Sequence, residues 1–233
     1  YPSWDDIDLN HDGTIISFRT SAGVHIFEYT NSQWVQKGST LALSNSSLDM
    51  HKSGLTIIAG DNAGLAIYDF IESIDGSSDW VQRGSNIPQS ASNAVISPNA
   101  NIVAVYVYTT PTIANCGTHT TARGVVYIYE WSSNSWSLKD EITACDITNF
   151  PSDATISSGD WNTLQVDNFG YSMNFTSAGN YLLIGSESYY KPSSNNQTVE
   201  NGVYIIYNIS SKSVYGNAFW PEKTCTADGL EIT

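Results

Sequence analysis

The sequence predicts an all-β fold of the β-propeller type, with four four-stranded antiparallel blades. Three observations predict it. A β-hairpin signature recurs four times along the 233 residues. Each recurrence is followed by a short apolar strand and, in three of the four, by a strand that opens on tryptophan. Nowhere is the 3.6-residue period of an amphipathic helix sustained.

The hairpins occupy 7–16, 48–57, 94–103 and 173–182. Each has alternating apolar residues, a polar tight turn and an apolar run, the pattern of two antiparallel strands. The third strand begins at Val24, Leu65, Val126 and Val203. The fourth begins at Trp34, Trp80 and Trp136, and Val214-Tyr215 stands in that place in the last copy. Four strands in roughly 40–45 residues make one propeller blade. The blades are expected at 4–41, 47–87, 92–142 and 169–219, in one domain spanning 1–233. Loops at 107–123, 143–168 and 186–201 stretch the later units, and 143–168 is an insertion between blades. The four blades are part of a larger propeller or form an open arc. The chain opens at Tyr1 close to a strand, without a signal peptide, and reads as a mature product or as part of a longer chain.

Composition excludes several function classes. Charged residues make up 14%, well below the ~25% of ordinary domains. Ser, Thr, Asn and Gly replace them, as the turns of secreted β proteins require. The 23 acidic and 9 basic residues give a net charge of −14. No basic stripe exists for nucleic acid, and anionic membranes are disfavoured. No apolar run approaches the ~20 residues of a membrane helix.

The candidate chemistry is sparse. Asp8-x-Asn10-x-Asp12-Gly13 has alternating oxygens and a glycine, as a calcium loop does. The equivalent positions in blade two are Asp49, His51 and Ser53, and in blade three Val95, Ser97 and Asn99. These cannot form the same cage, and an Asp-Gly hairpin turn accounts for the motif without metal. Calcium stays open as the one cofactor, with none as the other reading. Ser73-x-Asp75-Gly76-x-x-x-Trp80 is like the Asp box of sialidase propellers. Arg19, Arg83 and Arg123 fall at unrelated blade positions, so no arginine triad forms. His11, His25, His51 and His119 lack metal-ligand spacing. No nucleophile elbow or phosphate loop appears, so the chain is read as a non-enzyme. Tyr189, Tyr190, Trp161 and Trp220 fall outside the repeating strand positions. They are candidate binding aromatics, able to stack on sugars or to pack at an interface.

The chain has three cysteines. Cys116 lies in the loop between the second and third strands of blade three. Cys145 and Cys225 lie in the connections that leave blades three and four. In a propeller these loops emerge on one face, so a Cys116–Cys145 disulfide is expected, with Cys225 left for an intermolecular partner. Asparagine sequons for N-linked glycan occur at Asn45, Asn174, Asn196 and Asn208. Asn45, Asn196 and Asn208 are the expected acceptors, because Asn174 lies within a strand.

The repeats resemble the FG-GAP-like and integrin-alpha-like propeller repeats of secreted and surface proteins of microbes and algae. Phe169-Gly170-Tyr171-Ser172 followed by Leu183-Ile184-Gly185 carries the resemblance, as does Gly124 through Trp131 with Trp136. Arg19 and Tyr106 depart from it where Gly60 and Gly185 stand, and Asn99-Ala100 replaces the usual turn of blade three. The resemblance implies the fold and an extracellular, cell-surface setting, and no single activity. The expected function is that of a structural or assembly subunit of a surface layer, filament or appendage. Its partners would be other subunits, including copies of itself. The alternatives are a propeller that binds carbohydrate or protein through its top-face loops, and a glycan-processing enzyme.

Overall fold

The computed structural model describes residues 7–43, 47–61, 64–108, 120–122, 124–143, 146, 164–186, 188–190, 203–216, 223–226 and 229–232. Blade one is β1 (Ile7–Leu9), β2 (Ile15–Thr20), β3 (Gly23–Thr30) and β4 (Gln33–Gln36). Blade two is β5 (Leu48–Met50), β6 (Thr56–Asp61), β7 (Gly64–Ile71) and β8 (Asp79–Gln82). Blade three contains β9 (Asn93–Ile96) and β10 (Ile102–Val107). It resumes, past a separate short strand β11 (Thr120–Ala122), with β12 (Val125–Ser132) and β13 (Ser135–Thr143). After β14 (Leu164–Asp167), blade four opens with β15 (Ser172–Phe175) and β16 (Tyr181–Ser186). Beyond β17 (Ser188–Tyr190) it closes with β18 (Val203–Asn208) and β19 (Ser213–Val214). Each blade is a four-stranded sheet whose strands lie side by side in chain order.

The first turn of every blade has one geometry. The residue four places into the hairpin accepts a hydrogen bond three residues on: Gly13 to Asn10, Gly54 to His51, Ala100 to Ser97 and Gly179 to Thr176. The donor residue is left-handed each time, with φ of 72°, 72°, 56° and 73°. Ala100 therefore takes a conformation that glycine adopts at lower cost, which is how blade three manages without the usual turn glycine. The turns after β3 and β12 are two-residue turns with both residues left-handed, Asn31-Ser32 and Ser133-Asn134. That turn matches the right-handed twist of the strands it joins.

By their internal contacts the residues form two compact units. One is Tyr1–Val105 with Ile128–Lys139, and the other is Tyr106–Tyr127 with Asp140–Thr233. In the first unit the core lies between blades. Ile15, Val24 and Ile26 of blade one pack with Met50, Ile57, Ala59 and Trp80 of blade two. The segment after β4 adds Leu41 and Leu43. Leu41 exchanges two backbone hydrogen bonds with Val24, and Ile87 does the same with Leu65. β10 is apolar and buried at every position.

The long loops differ from expectation in the second unit. Parts of 107–123, 143–168 and 186–201 are strands, not plain loop. β11 pairs in parallel with β14, and β14 pairs antiparallel with β17, giving a three-stranded sheet. A hairpin, β20 (Lys223–Thr226) and β21 (Gly229–Ile232), follows blade four. Strand pairing satisfies the backbone of segments too polar to be ordered by burial.

Candidate functional site

The strongest side-chain constellation joins neighbouring blades. Asp8, central in β1, accepts the Met50 N–H of β5 at 2.7 Å. Asp49, at the same position in β5, accepts the Ile96 N–H of β9 at 2.7 Å. An aspartate on the first strand thus staples each of these blades to the next. Beside it, His11 N–H donates to the Lys52 carbonyl, and His51 Nε2 donates to the Pro98 carbonyl.

A second latch sits on the fourth strands. Trp80 Nε1 donates to the Lys37 carbonyl at 2.8 Å, and Trp136 Nε1 donates to the Arg83 carbonyl at 3.0 Å. The residue after each acceptor is a left-handed glycine, Gly38 or Gly84. A Cβ on Gly38 would stand 2.8 Å from the Trp80 ring, and one on Gly84 2.5 Å from Trp131. Only glycine leaves room for the indoles of the next blade. Lys37 pairs with Glu28 at 2.9 Å, and its ammonium lies 4.3 Å from the centre of the Phe70 ring, a cation–π contact. Arg83 grips Asp69 through two nitrogens and also reaches the Ala100 carbonyl. Lys139 and Glu130 repeat the pair within blade three.

These contacts set the electrostatics. Burial pushes the half-buried Asp49 carboxyl up to about 7, and the neighbouring Asp8 carboxylate adds to the rise, while the Ile96 N–H opposes it. In the second unit the Tyr207 hydroxyl donates to Asp140, and burial and that carboxylate raise its pKa.

The chain has a β-propeller fold. The β-propeller domain of Myceliophteria thermophila Cps50 (Swd1) matches it with a TM-score of 0.50 at 10% identity, over 97% of this chain and 60% of that one. Kluyveromyces lactis Hsv2p gives a TM-score of 0.49 at 9% identity, over 89% of this chain and 50% of that one. The chain thus spans less than two thirds of the length of these solved structures. No family model matches the sequence, and no curated protein matches it.

The propeller assigns other work to the calcium motif. Asp8 serves the blade staple and also accepts the Leu9 N–H. Asn10 Oδ1 accepts the Ile15 N–H at 2.9 Å. Asp12 accepts the Thr14 N–H at 3.0 Å and its hydroxyl at 2.5 Å, which lowers the Asp12 pKa. Among the described residues no three His, Cys, Asp or Glu side chains group as metal ligands. The Asp box is a turn of the same kind: Asp75 takes the Ser73 and Ser77 hydroxyls and the Ser77 N–H, which lower its pKa to about 2. Asp79 accepts the Ser39 N–H and hydroxyl from the preceding blade.

Two sequons fall on described residues. Asn174 is exposed in β15. Asn208 ends β18, and its Oδ1 accepts the Ser210 and Ser211 N–H groups. Asn45, Asn196, Trp161, Trp220, Cys116 and Cys145 lie outside the described residues. Tyr189 and Tyr190 stand in β17 opposite Val166 and Gln165 of β14, and Cys225 stands in β20 opposite Leu230. Their side chains lie outside what is described. Sequence reasoning placed Asp49 only as the blade-two counterpart of Asp8 and gave no role to the Lys37-Gly38 and Arg83-Gly84 pairs, whose signal is the recurrence of Trp-Val-Gln-Lys/Arg-Gly-Ser at 34–39 and 80–85.

Proposed function

We propose that this chain is a non-catalytic structural subunit of an extracellular glycoprotein assembly, such as a surface layer, filament or appendage. The observation that carries the reading is where its polar chemistry goes. Asp8, Asp12, Asp49, Asp69, Asp75 and Asp79 are all engaged in turns or in bonds that hold blades together. Side chains used this way build a scaffold, and among the described residues these carboxylates are committed to structural bonds rather than paired with a nucleophile. The extracellular setting is supported by the sequons, the three cysteines and the resemblance to FG-GAP-like repeats. The acidic charge of −14 suits a surface protein that must stay dispersed until it meets its partner. Negative-stain microscopy and sedimentation of protein from its native source test the reading. Layers, fibres or defined oligomers carrying glycan are expected, and an unglycosylated monomer at every concentration would sink it.

One feature favours the second reading, a binding propeller. The sheet β11-β14-β17 is built from the inserted loops and carries Tyr189 and Tyr190 in one strand. A glycan array tests it, and a saturable signal lost in Tyr189→Ala and Tyr190→Ala would favour binding over scaffolding.

A further inference from the structure

An Asp-Gly pair is a place where a polypeptide can rearrange its own backbone. The glycine nitrogen, unshielded by a Cβ, attacks Cγ of the preceding carboxyl. The N–Cγ bond forms and the Cγ–OH bond breaks. The hydroxyl leaves with the nitrogen's proton as water, and a five-membered imide remains. Water then adds back. Opening at the main-chain carbonyl gives isoaspartate, with the chain running through Cβ and no net change of atoms. The attack needs a protonated carboxyl, since a carboxylate has no hydroxyl to lose. It also needs a glycine N–H that is free to approach. Asp-Gly occurs at 12–13, 75–76 and 228–229, and the first two pairs lie wholly among the described residues.

Asp75 and Gly76 are exposed in the turn between β7 and β8. Nothing lies within 4 Å of where a Cβ on Gly76 would be, so burial does not shield the pair. Hydrogen bonds remove both requirements instead. Asp75 Oδ1 accepts the Ser73 hydroxyl at 2.6 Å, the Ser77 hydroxyl at 2.6 Å and the Ser77 N–H at 3.0 Å. Donors gathered on one oxygen keep the carboxyl ionised, in line with its pKa of about 2. The nucleophile is held as well, because Gly76 N–H donates to the Ser73 carbonyl at 3.2 Å. Ser73 thus serves both halves, with its hydroxyl on the aspartate and its carbonyl on the glycine. Asp12-Gly13 is built the same way. Asp12 Oδ1 accepts the Thr14 N–H and hydroxyl, and Gly13 N–H donates to the Asn10 carbonyl at 3.1 Å.

We propose that Asp75-Gly76 is a latent isoaspartate site, held closed by the hydroxyls of Ser73 and Ser77. The lock belongs to the covalent chain and stands apart from the assembly reading above. Its opening reaches past the turn. Isoaspartate lengthens the main chain by one carbon and moves the carboxylate to a new branch, where it no longer meets Ser73 and Ser77 in the same geometry. The turn is closed by the pairing of Ile71 with Asp79. Asp79 in turn accepts the Ser39 N–H and hydroxyl of the preceding blade. A lengthened turn therefore strains the latch between blades one and two.

The test is ageing of the full chain at pH 5, followed by peptide mapping. Mass spectrometry reads the imide as a loss of water, and electron-transfer fragments identify isoaspartate. Folded wild type, wild type unfolded in guanidinium, folded Ser73→Ala/Ser77→Ala and folded Thr14→Val are compared. Asp75-Gly76 should convert at least about tenfold faster in the unfolded chain and in the double variant than in folded wild type, the change in protonated carboxyl that one pKa unit brings. Asp12-Gly13 is the internal control. It should stay slow in the double variant, which shows that the fold is kept, and speed up in Thr14→Val while Asp75-Gly76 stays slow. Folded wild type that converts Asp75-Gly76 at the unfolded rate would overturn the proposal. A double variant as slow as wild type would overturn the role of the hydroxyls. Both pairs speeding up together in both variants would overturn a local lock, since the rate would then follow unfolding of the whole chain.

Discussion

Replacing Asp49 by Asn should make the protein more stable at pH 8 and leave it unchanged near pH 4. In the fold the Asp49 carboxyl titrates near 7 instead of 3.8, because it is partly buried and faces the Asp8 carboxylate. A raised carboxyl favours folding fully below its unfolded value. That advantage is lost as pH rises through the folded value, since the unfolded chain then gains the ionised form more readily. The window is therefore about pH 4 to 7. A shift of about 3 units corresponds to about 4 kcal/mol, and the solvent that reaches a half-buried group reduces this to roughly 2 kcal/mol. Asn keeps the shape and an oxygen for the Ile96 N–H, which Asp49 accepts at 2.7 Å. Asn174 stands at the matching position of β15, so the fold already accepts an amide there. Urea unfolding of both proteins at pH 4 and pH 8 gives the four stabilities needed, with all other groups cancelling in the comparison. The reasoning fails if Asp49→Asn lowers stability at pH 8, or changes it equally at both pH values.

Gly13 and Gly38 both have φ of +72°, but only Gly38 has the next blade against it. Gly13→Ala should cost about 1 kcal/mol of strain. Gly38→Ala should cost about 2–4 kcal/mol, since its Cβ would meet Asp79 and Trp80, and urea midpoints compare the two. Trp80→Phe keeps an aromatic side chain but removes the pyrrole part of the buried indole and its bond to the Lys37 carbonyl, so a loss of about 2–4 kcal/mol is expected by the same assay. Intact mass before and after glycosidase treatment should show glycan on one or more of Asn45, Asn196 and Asn208. Non-reducing peptide mapping should recover a Cys116–Cys145 disulfide, which would close a loop of about 30 residues and add roughly 3–4 kcal/mol. Three free thiols would argue against the extracellular setting.

What the sequence disclosed well was local. The hairpins at 7–16 and 48–57 carry turn residues and alternation within ten positions, and β1-β2 and β5-β6 follow them. The sheet β11-β14-β17 was not legible, because its partners lie far apart in the chain and show no alternating pattern. Thr120 pairs with Leu164, and Val166 with Tyr189. The calcium motif shows a different limit. Asp8, Asn10 and Asp12 have the residue types of a cation cage, but the types cannot say which way the oxygens turn. In the fold they turn to backbone N–H groups, one of them on another blade.

The tryptophan motif shows why even a correct repeat leaves its function hidden. Trp34 and Trp80 open the same six-residue pattern, so no rule of composition or spacing separates them. Trp80 is buried over a glycine and bonded to a carbonyl, whereas Trp34 is about half exposed and packs beside Tyr29. The difference lies in the neighbour: Trp80 has blade one before it, whereas the described residues put no blade before Trp34. Repeat arrays gain stability from each interface between adjacent units, so the same side chain counts for more where a neighbouring blade packs on it: Met50 and Trp80 are buried against blade one, whereas Ile7, Leu9 and Trp34 are exposed.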